Sequence, residues 1–388
     1  MPGKIKTDIN ALLKDAKKKY DIDAGPMNKV AENHPTISTG SIAIDYITGV
    51  GGLPLGRSVE LFGPPASSKT TTALMVAANH QKDIIAKGLD EYILYLDYEQ
   101  AMDPVYAKNL GLDTDHDSFI FAQPNLFEDG ANFAVGLIKT GKVRVVIFDS
   151  VASMIPAALR DNEVGKVQVA PQARLMSVLM QQLNPILMET GTLAIFINHL
   201  KEKVGIGGPA GPVKTTPGGV SLKFYASMRI EYAPISQIKG EVKDPLTGLK
   251  KPETIASNVR VKIVKNKVAP PYKEAIVRVR FGKGFDDMWT AKNVLAANKK
   301  IYGTSGYFYF DKSPELVHPD MDISKEGNPY IHGESTLMKF ADEHPDWRKQ
   351  VVDLCRTLVA SVVTESPVVE GEEDNDLPSL VDEDLLAD

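Results

Sequence analysis

Gly63-Pro64-Pro65-Ala66-Ser67-Ser68-Lys69-Thr70 is the stretch on which the reading of this chain turns. It fits the phosphate-cradling pattern G-x-x-x-x-G-K-[ST], except that Ser68 stands where the pattern has glycine. A strand-like run, Ser58 to Phe62, precedes it, and a helix-like run, Thr71 to Asn79, follows. In that setting backbone N–H groups and the helix N-terminus hold phosphates, Lys69 reaches the β and γ oxygens, and Thr70 ligates Mg²⁺. Ser68 raises a physical question, whether a residue with a Cβ can take the backbone angles required there.

Working outward, alternating strands and helices follow from Thr39. The strand-like runs are Val59–Phe62, Tyr92–Asp97, Val143–Asp149 and Thr192–Asn198, and the helical stretches are 71–87, 129–140 and 171–189. That order predicts a largely parallel sheet covered by helices, with phosphate chemistry at the carboxyl ends of the strands. Ser227–Glu231, Ser257–Val264 and Ala275–Phe281 alternate polar and apolar residues and read as antiparallel or edge-like. Residues 287–360 read as a separate α+β unit, rich in Trp289, Tyr307, Phe308, Tyr309, Phe310 and Trp347. Ahead of all this, residues 5–19 predict a short basic helix with Ile5, Ile9, Leu12, Leu13 and Ala16 near one face.

Each strand end offers a polar group. Asp149 closes the run Val145-Val146-Ile147-Phe148, the arrangement of an acid that holds Mg²⁺ through water. Glu99 lies just beyond Tyr95-Leu96-Asp97-Tyr98, within reach of a water in line with the γ-phosphate. Asn198 and His199 end the next strand, a polar pair able to touch the γ-phosphate and pass the signal to the chain beyond.

Two stretches suit unpaired nucleic acid. Residues 200–217 are too dense in glycine and proline for regular structure. There Lys201, Lys203 and Lys214 supply phosphate contacts, and Val204 and Ile206 can slip between bases. Arg160 to Val169 forms a shorter loop that includes Lys166, and Arg174 opens the next helix. Neither loop carries an aromatic platform, which favours backbone charge contacts with aliphatic wedges over base stacking. Lys265-Asn266-Lys267 is a strand-end pair of lysines, either a hairpin tip or a reach across a subunit boundary toward a neighbour's triphosphate.

Composition narrows the class. The 388 residues exceed one average domain, and 43% hydrophobic with 24% charged residues is ordinary for a soluble protein. No apolar run approaches the ~20 residues of a membrane span, so the expectation is a cytoplasmic protein with no membrane partner. Cys355 is the sole cysteine, excluding an intrachain disulfide and a cysteine-built zinc site. The net charge of −6 hides an asymmetry: Glu370 to Asp388 hold nine acidic residues and no Lys or Arg, leaving 44 basic against 41 acidic residues elsewhere. Such a tail cannot bury enough apolar area to fold, and reads as a disordered solubilising terminus or a charge screen over basic loops.

Taken together, these segments resemble the bacterial RecA recombinase family across roughly residues 36–290. The resemblance rests on Ile37-Ser38-Thr39-Gly40-Ser41, Gly51-Gly52-Leu53-Pro54, the phosphate loop, Ala101 to Ala107, Val145 to Ser150, Gly218-Gly219 with Leu222 to Ser227, and Val264 to Lys267. It implies an α/β fold, a P-loop NTPase core around a mostly parallel sheet, with a small N-terminal helical arm and a C-terminal α+β domain. The implied bounds are 1–35 for an oligomerisation arm, 36–286 for the ATPase core, 287–365 for the C-terminal domain and 366–388 for the tail.

By the same resemblance, Gly63 to Thr71 bind the nucleotide, with Thr70 and Asp149 on Mg²⁺ and Glu99 activating water. Asp103 and Tyr106 contact adenine, Phe281 and Gly282 reach it from the adjacent protomer, and Lys265 and Lys267 reach a neighbour's ATP. Phe224 lies at the protomer interface. Residues 161–169 and 200–217 match the DNA loops, and Gly218 and Gly219 belong with the second. The implied function is an ATP-dependent homologous recombinase, a DNA-dependent ATPase that forms a helical filament on single-stranded DNA and pairs it with homologous duplex. Single-strand-binding and mediator proteins are the expected further partners. Ser68 and His199 depart from the bacterial pattern, where glycine and a glutamine sensor stand, and are non-standard in the T-even phage recombinase too, which points to a bacteriophage protein acting in the bacterial cytoplasm. Two rival readings are a ring helicase of the same core fold and a DNA-coating protein that binds ATP with little hydrolysis.

Overall fold

The computed structural model describes Asp15, Lys18–Tyr20 and residues 35–160, 170–208, 211–303 and 306–364, with backbone alone at 170, 201–208, 211–215 and 361–364. Residues 1–35 and 36–388 are two separate compact units. In the first, Asp15 and Lys18–Tyr20 are helical, and the rest of the expected basic helix lies outside the described residues, as does the acidic tail.

Residues 36–388 are built on a nine-stranded sheet. Its strands are β1 (Ser58–Gly63), β2 (Tyr92–Asp97), β3 (Phe119–Ala122), β4 (Val143–Asp149), β5 (Leu193–His199), β6 (Met228–Lys243), β7 (Lys250–Asn266), β8 (Glu274–Arg280) and β9 (Gly284–Phe285). They lie in the order β9-β8-β7-β6-β1-β5-β4-β2-β3. From β6 to β3 every neighbour is parallel, while β6 to β9 pair antiparallel.

The central strands are mostly apolar because both faces are covered, Glu60 and Asn198 being buried exceptions. On one face Val59, Leu61, Ile93, Tyr95, Ile147, Ile195 and Ile197 pack with Leu74 and Ala77 of helix α1 (Lys69–Lys87). On the other, Leu94, Leu96, Val146, Phe148 and Phe196 pack with Phe127 of α2 (Phe127–Ile138) and with Met176 and Leu183 of α3 (Ala170–Thr190). Ile93 and Tyr95 face one way and Leu94 and Leu96 the other, as the two-residue period of a strand requires. A third cluster joins Met288, Phe310, Ile331 and Trp347 of the C-terminal region to Ile42. That region carries a four-stranded antiparallel sheet and the helices Asp287–Ala297, Glu334–Glu343 and Pro345–Thr364.

Two expectations need correction. Ser227–Glu231 is antiparallel to β7, as one of its two readings had it, but it is not an edge: Met228–Glu231 also runs parallel to β1 in the interior of the sheet. Its polar alternation arises because Arg229 pairs with the fully buried Glu60 of β1 rather than facing water. Residues 200–217 do form regular structure, a two-stranded ribbon of Lys201–Gly208 and Gly211–Thr215. Both strands of such a ribbon are edges, so Pro212, paired with Gly207, can lack an N–H at little cost. The same tolerance lets β6 and β7 run as a long ribbon through Gly240 and Pro252.

Candidate nucleotide site and nucleic-acid loops

The carboxyl ends of β1, β5, β4 and β2 are brought level by strand register. Gly63 pairs with His199, Phe62 with Asn198, and Asp97 with Asp149. The loop after β1 therefore opens beside His199, with Asp149 and Glu99 on the adjoining strand ends.

Within that loop, Ser68 has φ 71° and ψ 18°, so it does adopt the left-handed conformation that glycine serves elsewhere. Ala66 is left-handed too, at φ 55°. A non-glycine residue there costs about 1–2 kcal/mol. Gly63 is required for another reason: a Cβ on it would lie 2.3 Å from the backbone oxygen of Tyr232.

Lys69 opens α1 with its side chain turned back into the loop, only 4% exposed. Its Nζ donates to Pro64 O at 2.6 Å and Ser67 Oγ at 3.3 Å. Burial lowers its pKa to about 8, against the pull of the Asp149 and Glu99 carboxylates. Thr70 Oγ1 donates to Asp149 Oδ2 at 3.0 Å, and the Tyr95 hydroxyl donates to the same oxygen at 2.7 Å. Burial raises the Asp149 pKa to about 6; Tyr95 and Thr70 counter it and the Glu99 charge adds to it. The Asp149–Ser150 peptide is cis.

Glu99 is the meeting point of the strand ends. Its Oε1 accepts from the Ser150 hydroxyl and lies 2.9 Å from His199 Nε2. Burial works against its charge, yet the bonds from Ser150 and His199 prevail and its pKa is lowered. Thr71 Oγ1 meets the Tyr106 hydroxyl at 2.7 Å. Asp103 caps the short helix Pro104–Asn109, its Oδ1 accepting from Val105 N and Tyr106 N. Thus the phosphate loop, Thr71, Asp149, Glu99, His199 and Tyr106 are drawn into one linked set, with Asp103 fixed beside Tyr106.

Asn198 does not join His199 there, contrary to expectation. Successive strand residues point to opposite faces, and Asn198 is fully buried, its amide donating to Glu60 Oε1 at 2.8 Å and Pro217 O at 3.0 Å. It anchors the root of the ribbon instead. Lys265 and Lys267 also lie away from the phosphate loop of their own chain. The pairings Arg229↔Lys265 and Arg229↔Glu60 set them toward the amino end of β1, opposite Gly63. Their Nζ atoms donate to Phe224 O, at 2.7 and 3.4 Å, beneath a Phe224 side chain that is 72% exposed. Burial and the nearby Lys267 and Arg229 charges lower the Lys265 pKa to about 8. Phe281, half exposed, and Gly282 follow β8 at the far side of the sheet.

Arg160 and Arg174 are exposed on either side of 161–169, a segment outside the described residues together with Lys166 and Val169. Lys201, Lys203, Val204, Ile206 and Lys214 belong to the ribbon backbone. Gly218 and Gly219 are both left-handed, and a Cβ on either would press on Val151 or Ala173, so they pin the end of the ribbon to α3. Tyr95 and Glu60 had no sequence signal, since each reads as an ordinary strand residue, and Ser150 stood out only as the end of the Val145–Ser150 segment.

Residues 7–286 match the RecA N-terminal domain family. The chain is 37% identical over 355 residues to protein RecA of Lactobacillus acidophilus, covering 90% of this chain and 88% of that protein. Protein RecA of Lactobacillus delbrueckii subsp. bulgaricus is 38% identical over 343 residues, 88% and 93% of the two chains. Protein RecA of Lactiplantibacillus pentosus is 40% identical over 311 residues, 80% and 73%. The chain belongs to the RecA family. These relatives are bacterial proteins, and the expected phage affiliation draws no support from them. Among the described residues no helix is long and apolar enough to cross a membrane.

Proposed function

We propose that the chain is an ATP-dependent homologous recombinase whose nucleotide is clamped between neighbouring protomers of a filament on single-stranded DNA. The observation that carries this reading is the alignment of Gly63 with His199 and of Asp97 with Asp149, which gathers Lys69, Thr70, Asp149 and Glu99 around one loop. The residues fit a magnesium triphosphate. A nearly buried lysine spends its ammonium on a backbone carbonyl and a serine hydroxyl, groups that a phosphate oxygen displaces with gain of charge pairing. The N-terminus of a nineteen-residue helix faces the same loop.

Lys69 and the loop amides from Gly63 to Thr71 would hold the β- and γ-phosphates, and Thr70 and Asp149 would hold Mg²⁺. The metal, when bound, neutralises charge developing on the transferred phosphoryl group. Glu99, kept ionised by Ser150 and His199, accepts a proton from the attacking water. His199 contacts Glu99 directly and heads the ribbon, so a change at the γ-phosphate reaches the DNA loop through one side chain. Asn198 holds the other root of that ribbon through Pro217. Tyr106, beside Asp103, stacks on adenine.

Lys265 and Lys267 cannot serve their own loop from the amino end of β1, which supports their action on a neighbour's triphosphate, with Phe281 and Gly282 on its adenine side. Filament assembly and nucleotide binding are then linked equilibria. The comparisons favour neither the helicase nor the coating-protein reading. The test is electron microscopy with single-stranded DNA and a non-hydrolysable ATP analogue, alongside assays of DNA-stimulated phosphate release and joint-molecule formation. Open helical filaments and joint molecules are expected. Closed hexamers, or equal DNA binding with and without ATP, would overturn the reading.

A further inference from the structure

We infer that Tyr95 is a positioning residue for the metal-binding carboxylate, holding Asp149 Oδ2 so that the carboxylate is aimed for Mg²⁺. The inference rests on the nucleotide-site reading above and deepens it.

Tyr95 lies two residues before Asp97 on β2, and register sets it opposite Ile147, two residues before Asp149 on β4. With a period of two, Tyr95 and Asp149 project to the same face of adjacent strands. The ring is 1% exposed and is flanked on β3 by Phe119 and Phe121, with centroids 6.3 and 6.1 Å away. A ring so enclosed has little rotational freedom, and its hydroxyl is delivered to Oδ2 at 2.7 Å. The second donor to that oxygen, Thr70, belongs to the loop that must also serve the metal. Tyr95 is therefore the donor whose position does not depend on ligand.

A buried carboxylate needs such a donor: Asp149 is 6% exposed, and an oxygen there without a hydrogen-bond partner would be costly and free to rotate. A fixed hydroxyl donating to one oxygen sets the carboxylate plane and leaves the other oxygen for the metal. Phenylalanine fills the same space without donating. The difference between the two side chains is thus a difference in metal affinity, with little change in packing.

The test uses the full chain and Mn²⁺ as the probe, its affinity read by electron paramagnetic resonance with a non-hydrolysable ATP analogue present. Tyr95→Phe is expected to weaken Mn²⁺ binding roughly tenfold, the scale of one hydrogen bond to a charged group. Nucleotide affinity without divalent metal should stay unchanged. In an Asp149→Asn background the Tyr95→Phe change should add nothing, because it acts through that carboxylate. Unchanged Mn²⁺ affinity in a Tyr95→Phe protein that melts normally, or an equal loss in the Asp149→Asn background, would overturn the inference alone. Unchanged Mn²⁺ affinity in Asp149→Asn by itself would overturn the underlying site reading.

Discussion

Nε2 of His199 sits 2.9 Å from Oε1 of Glu99, and the Ser150 hydroxyl donates to that same oxygen. Among the described residues, Nδ1 of His199 is buried with no hydrogen-bond partner. The ring is thus held by one bond, to the residue proposed to activate water, and any group that draws Glu99 away releases it.

Replacing Glu99 with Gln should lower DNA-stimulated phosphate release by about 10²- to 10⁴-fold, the range for loss of a general base. Filament formation with a non-hydrolysable analogue should persist, because Lys69 and Thr70 are untouched. Unchanged turnover would remove Glu99 from its role.

Ser68 holds a left-handed backbone conformation at the start of α1. Ser68→Gly should relieve about 1 kcal/mol of strain and raise the melting temperature by roughly 2 °C. A scan of the nucleotide-free protein checks it. A lowered melting temperature would mean that the serine side chain contributes more than its backbone costs.

Lys69, its pKa lowered to about 8 by burial, loses its charge as pH rises through that value in the free protein. Phosphate binding needs the charged form, so ATP affinity should fall above about pH 8, approaching tenfold per pH unit. For stability the sign is opposite. The folded pKa lies below the unfolded 10.5, so this group's penalty is full below the folded value and is relieved as pH rises toward the unfolded one. Lys69→Arg, which does not titrate in this range, should flatten the affinity profile. A wild-type profile already flat across that range would refute the assignment.

Lys265 lies toward the end of β1 opposite Gly63, which gives a complementation test. Lys69→Ala and Lys265→Ala proteins should each be inactive alone. Mixed one to one, random assembly of a head-to-tail filament leaves roughly a quarter of the interfaces with both lysines intact. About that fraction of wild-type DNA-stimulated hydrolysis should return. No recovery, with mixed filaments seen by microscopy, would place both lysines in the same site.

Removing Arg229 should leave Glu60, 0% exposed, with an uncompensated charge. Arg229→Ala is expected to cost roughly 3–5 kcal/mol, read by denaturant unfolding. A loss below about 1 kcal/mol would show that Asn198 alone satisfies that carboxylate.

The chain's order of apolar runs, loop glycines and strand-end acids determined a parallel α/β core, its phosphate loop, and Asp149 and Glu99 as candidates. These signals are local: a strand's period, a helix start and a turn's backbone demand are written in adjacent residues. What only the tertiary structure decided depends on strand register and side-chain direction. Register set Gly63 against His199, turned Asn198 inward to Glu60 and Pro217, sent Lys265 to the far end of β1, and delivered the Tyr95 hydroxyl to Asp149. Residues 201–208 and 211–215 pair as a ribbon because backbone hydrogen bonds across two edge strands survive glycine and proline that would break an interior strand. Pairing between distant segments is fixed by the whole packed sheet, so no stretch of sequence states it alone.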